Sequence, residues 1–133
     1  MERQVEYPYR AILFDFDYTL ADSSRGIVTC VNHALAAMGL SSVAAEQIHP
    51  TVGLPLEVMF TRLVPAEPAT RAAEFKRYFV AHADEVMNPL TVLFPGAAET
   101  IRDLRRRGLA LGIVTTKFRY RIEGVMQREG LLD

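Results

Sequence analysis

The chain has 133 residues, a formal net charge of −1 and one cysteine. That length suits one domain, or one core with a small insert, and is enough to bury a real core. The balanced charge offers no basic surplus for nucleic acid, and no apolar run approaches a membrane span. A lone cysteine excludes an internal disulfide and a cysteine-based metal site. With no signal-peptide pattern, the sequence reads as a soluble cytoplasmic protein.

Residues 1–10 are a polar lead-in. Ala11 to Phe14 is a short apolar run, right for a buried strand, and it opens into Asp15-Phe16-Asp17. Alternate strand residues share a face, so both carboxylates are expected to leave the strand end on one side. Like charges that close repel, and no basic residue follows until Arg25. A hard cation removes the difficulty, because such ions take carboxylate oxygens. A solvated acidic turn also fits this pair taken alone.

Ser23 or Ser24 can cap a helix with apolar positions at Ile27, Val28, Val31, Leu35 and Met38, ended by Gly39 at C′. Cys30 falls within this pattern as a small buried hydrophobe. Ser41-Ser42 open a shorter helical piece through Ile48, broken by Pro50. Gly53-Leu54-Pro55 forms a turn, and Pro55 sits at the start of a helix whose apolar face is Leu56, Met59, Phe60 and Leu63. Pro68 begins a longer helix with the stripe Phe75, Tyr78, Phe79, His82 and Val86, closed by Asn88-Pro89. His33, His49 and His82 are too scattered for a metal site, and His82 reads as a packed histidine. Residues 23–88 therefore read as helices only.

Phe94-Pro95-Gly96 is a turn. The next helix faces Ile101 and Leu104 inward and carries Arg105, Arg106 and Arg107 at its solvated last turn, where cations suit the helix dipole. Gly108 ends it. Leu109 to Val114 is a second buried strand, running into Thr115-Thr116-Lys117, and an amphipathic helix with Ile122, Val125 and Met126 completes the chain.

The string FDFDYTLADS resembles the first motif, DxDx[TV], of the haloacid dehalogenase superfamily. LGIVTTK, an apolar strand ending in threonine, is similar to that family's second motif. The branch that looks nearest is the phosphoglycolate phosphatase and pyrophosphatase group. One departure is Tyr18, where the family usually has glycine. The resemblance implies an α/β, Rossmann-type parallel core, residues 1–22 and 89–133, with an all-α helical cap at 23–88 inserted after the first strand.

It further implies a Mg²⁺-dependent phosphatase acting on a small phosphorylated metabolite, phosphoglycolate-like, with no nucleic-acid or membrane partner. Asp15 would be the nucleophile that forms an aspartyl-phosphate, and Asp17 the general acid and base. Mg²⁺ would bind the Asp15 carboxylate and the Asp17 backbone carbonyl. Thr115 and Thr116 would hold phosphoryl oxygens, with Thr19 and Asp22 supporting the loop. Lys117 would either meet a distal phosphate or lie on the surface. Gly53, Leu54 and Pro55 fall where the family's cap presents a specificity loop; Arg62 would reach a second anion there, or stand exposed on its helix. The family's third-motif lysine and fourth-motif acids are missing from this chain. It is therefore expected to be an incomplete core, weak or inactive alone, with an unpaired sheet edge open to self-association. The alternative is a non-catalytic remnant whose cap serves as a binding module. A phospho-receiver domain has no helical insert before its second strand.

Overall fold

A computed structural model describes residues 8–132; most of the expected lead-in, residues 1–7, lies outside them, as does Asp133. Strand β1 (Ala11–Phe14) pairs in parallel with β4 (Ala110–Ile113), with Ala11 opposite Ala110 and Phe14 opposite Ile113. Parallel neighbours need a long crossover. Here it contains a short strand, β2 (Ala21–Asp22), then α1 (Ser24–Ala37), α2 (Ala45–Ile48), α3 (Leu56–Leu63) and α4 (Ala72–Val86). Strand β3 (Val92–Leu93) and helix α5 (Ala97–Arg106) lead to β4, and α6 (Arg119–Arg128) follows it. The pair β2 and β3, antiparallel with Ala21 opposite Leu93, was not foreseen.

Two separate cores follow this division. One lies within the helical block, where α1 and α3 pack on α4 around Phe60, Phe75 and Phe79. Their ring centroids are 5.2 and 6.0 Å apart. Burying each such side chain is worth about 1.5–3 kcal/mol. The other gathers Phe16, Leu20, Ile101, Ile122 and Val125 between one face of the β1–β4 sheet, α5 and α6. Among the described residues no helix is long and apolar enough to cross a membrane.

The helix stops work as expected. Gly39 takes φ +75°, and Leu40 N–H and Gly39 N–H donate to the carbonyls of Leu35 and Ala36, which closes α1 in a Schellman motif. Gly26, in α1, lies against residues 87–90; a Cβ there would stand 2.8 Å from the Met87 sulfur.

Three expectations need correction. Residues 41–44 are not helical; the first α-turn begins at Ala45. The Asn32 amide explains this, because it accepts from Val43 N–H at 2.8 Å and donates to Val43 C=O at 3.1 Å, claiming both main-chain groups. Pro50 does not break the helical path but sits in the first turn of a 3₁₀ segment, His49–Thr51. The two long strands are not buried: Leu13 and Val114 are 69 % and 64 % exposed. Among the described residues their sheet has two strands, and only the face bearing Phe14, Leu111 and Ile113 packs on the core.

Candidate active site

The chain leaves β1 at Phe14 and turns tightly around Phe16, whose carbonyl accepts from the N–H groups of Thr19, Leu20 and Ala21. Phe16 is fully buried and anchors the turn. Tyr18, at the position that drew attention in the sequence, has φ +60°, the left-handed region that glycine enters freely and a tyrosine does not. Its N–H donates to Ala21 C=O at 2.9 Å.

This turn gives the two carboxylates different settings. Asp15 is exposed, and its Oδ1 accepts from Phe16 N–H at 2.7 Å. Asp17 is almost enclosed; its Oδ1 accepts from the Ser23 hydroxyl at 2.5 Å and lies 3.1 Å from Lys117 Nζ. Ser23 heads α1 but makes no side-chain cap there, since its buried hydroxyl turns to Asp17. The capping work falls to Asp22 Oδ1, which accepts from Ser24 N–H and Oγ, and these bonds hold the Asp22 carboxyl below its usual range.

The loop after β4 supplies the other wall. Lys117 Nζ sits 5.9 Å from the centre of the Phe16 ring, and its own N–H donates to Thr115 Oγ1 at 3.2 Å. Thr116 Oγ1 donates to Gly53 C=O at 2.9 Å, joining this loop to the turn between α2 and α3. Gly53 adopts φ +93°, so the turn that presents its carbonyl is one a residue with a Cβ adopts only under strain.

Between these pieces lies a cavity of about 360 Å³, lined on one side by Asp17, Thr116, Lys117, Phe118 and Arg121. The helical block lines the other side with Ile27, the 53–57 turn, Met59, Lys76, Phe79, Val80 and Met87. Asp17, Thr116, Lys117, Gly53, Leu54 and Pro55 thus share one space. Asp15, Thr115 and Arg62 do not line it, and Arg62 stands exposed on α3.

Sequence reasoning missed Arg121, Lys76 and Glu57. The Arg121 side chain is 8 % exposed, lies 3.1 Å from Asp84 and donates to Val80 C=O. The hydroxyl of Tyr120 donates to the same Asp84 at 2.6 Å. Burial, then this bond, pushes the Tyr120 phenol upward. The visible signal was the run Phe118-Arg119-Tyr120-Arg121, which sets two rings beside the Arg121 guanidinium where α6 begins. Among the described residues no three acidic, histidine or cysteine side chains gather as a metal site.

A family model for haloacid dehalogenase-like hydrolases matches residues 12–133. A phosphoglycolate phosphatase of Cereibacter sphaeroides is 34 % identical over 110 residues, covering 80 % of this chain and 50 % of that protein. A pyrophosphatase of Bacillus cereus is 28 % identical over 116 residues, covering 87 % of this chain and 52 % of its own length. Among solved structures, a haloacid dehalogenase-like hydrolase from Bacteroides fragilis superposes with a TM-score of 0.83 at 40 % identity. That match covers 90 % of this chain and 57 % of the other. The chain spans about half the length of the curated relatives it matches.

Proposed function

Because the chain belongs to the haloacid dehalogenase-like hydrolases, we propose that it carries the nucleophile and general acid of a phosphatase for a small phosphomonoester. The observation that carries this reading is the meeting of Asp17, braced by Ser23, with Lys117 at a cavity bounded by the 53–57 turn. Asp15 attacks phosphorus and becomes an aspartyl-phosphate. Asp17 gives a proton to the leaving alkoxide and then takes one from the water that frees Asp15. The Thr115 hydroxyl and Thr116 N–H hold phosphoryl oxygens, and Lys117 places a positive charge beside them. The helical block, held over the site, keeps bulk water from the transfer.

The oxygen donors here suit Mg²⁺ in kind: the exposed Asp15 carboxylate and the Asp17 main-chain carbonyl would hold it. When bound, the ion would offset charge on the phosphoryl oxygens. With one carboxylate and one main-chain carbonyl among the described residues to hold the ion, we take Mg²⁺ binding and turnover by this chain alone to be low. In this reading the protein acts in the cytoplasm on a metabolite, and the exposed edge of β1 recruits a second copy.

Hydrolysis of an aryl phosphate with and without Mg²⁺ tests the roles. In a catalytically complete form of the protein, Asp15→Asn should abolish turnover, and Asp17→Asn should cost about 10²–10⁴-fold while beryllofluoride still binds. Full turnover by Asp15→Asn would sink the assignment. Beryllofluoride binding with no turnover even in a catalytically complete form would favour the second reading, a non-catalytic binding module. That reading draws on Asp15 lying outside the cavity lining.

A further inference from the structure

The cavity beside Asp17 has charged groups in its lining, but most of its wall is apolar. Its far wall is built from Ile27, Met59, Phe79 and Met87, all buried in the helical core, with Leu54 and Phe118 closing the sides. Three cations reach it, including both lysines of the chain, Lys76 and Lys117. Each already has a carboxylate. Lys117 meets Asp17 at 3.1 Å, Lys76 meets Glu57 Oε1 at 2.9 Å, and Arg121 meets Asp84 at 3.1 Å.

These pairings decide what the space accepts. A phosphoryl group takes over Lys117 while Asp17 carries the proton it gives to the leaving group, so no carboxylate is left without a partner there. A second anion on the same molecule would have to break Lys76 from Glu57, or Arg121 from Asp84, and leave a carboxylate at the cavity wall. An uncharged hydrocarbon makes no such demand, and it removes apolar wall from water. The volume of about 360 Å³ lies in the range of small-ligand sites.

We propose that the substrate's organic part is an uncharged alkyl or aryl group, in preference to one bearing a second anion such as a carboxylate. This deepens the phosphatase reading and rests on it.

Calorimetric titration of the whole chain with non-hydrolysable phosphonates, in excess Mg²⁺, tests the idea. The series is methyl-, ethyl-, propyl- and butylphosphonate, with 3-phosphonopropionate as an anionic compound of similar size to the last. Affinity should rise by about fourfold per methylene, the worth of one buried CH₂. Butylphosphonate should bind about tenfold or more tighter than 3-phosphonopropionate. Phe118→Ala, at a partly exposed side chain, should flatten the chain-length series. Glu57→Gln, which releases Lys76 at the surface, should strengthen 3-phosphonopropionate alone.

A flat series, or tighter binding of 3-phosphonopropionate, would overturn the inference and leave the phosphatase reading standing if methylphosphonate and beryllofluoride bind. Failure of every phosphonate and of beryllofluoride would overturn both.

Discussion

Cys30 shows how a single side chain reports the quality of its surroundings. It is fully buried in the helical core, and burial pushes its thiol up to about 11, with Arg121 and Lys117 pulling slightly back. A raised pKa in the folded state means that the thiol's contribution to stability is whole below the unfolded value, about 9, and is lost as pH climbs to about 11. The loss is roughly 3 kcal/mol. Urea denaturation across that window should show it in the parent chain and not in Cys30→Ala. Equal slopes would mean that the thiol ionises as readily folded as unfolded. Residue chemistry of this kind was legible in advance: a lone cysteine on a helical stripe reads as a small hydrophobe. Tyr18 was legible as a departure, and its φ of +60° supplies the physical content, a tyrosine in glycine's conformation. The partners of Asp17 were not legible. Ser23 reads as a helix cap until the fold carries its hydroxyl back across the turn to a carboxylate.

Among elements, the tie between α6 and α4 matters most. Asp84 accepts from the Tyr120 hydroxyl and forms an ion pair with Arg121, and Thr116 reaches Gly53 on the far side of the cavity. Asp84 is half exposed, so removing its carboxylate in Asp84→Ala should cost only about 1 kcal/mol globally. Its local effect should be larger. Amide exchange should quicken over residues 79–88 and 117–121 while the rest of both cores keeps its protection, and unchanged exchange there would refute the tie. The helices themselves were readable from a 3.6-residue period, since Ile27, Val31, Leu35 and Met38 do face inward. What escaped was whatever depends on distant partners. Residues 41–44 are kept out of the helix by Asn32, which holds Val43 from eleven positions earlier in sequence. The strands β2 and β3 are two residues each, too short to carry any periodic signal.

For the molecule as a whole, the sheet is the exposed element. β1 pairs with β4 alone among the described residues, and Leu13 packs over Gly112, where an added Cβ would come within 2.9 Å of Leu13 Cδ2. Apolar edges with free main-chain groups recruit other strands. Sedimentation should therefore reveal dimers or larger species, and Leu13→Lys should shift them toward monomer without loss of helix content. A monodisperse parent monomer would refute this. The parallel core and its open edge were expected from the motifs' resemblance, but the exposure of Leu13 and Val114 was not, because an apolar strand's sequence does not state which of its faces will be covered. The antiparallel pairing of β2 with β3 has a different consequence. Asp22 and Val92 are direct partners across that ribbon, so their Cα atoms lie only about 5 Å apart. Everything between them enters and leaves through one doorway. The two connections to the helical block therefore sit side by side like the ends of a hairpin, and what fixes the block's position is left to its side-chain ties, Thr116 to Gly53, Asp84 to Tyr120 and Arg121, and Arg128 to Asn88.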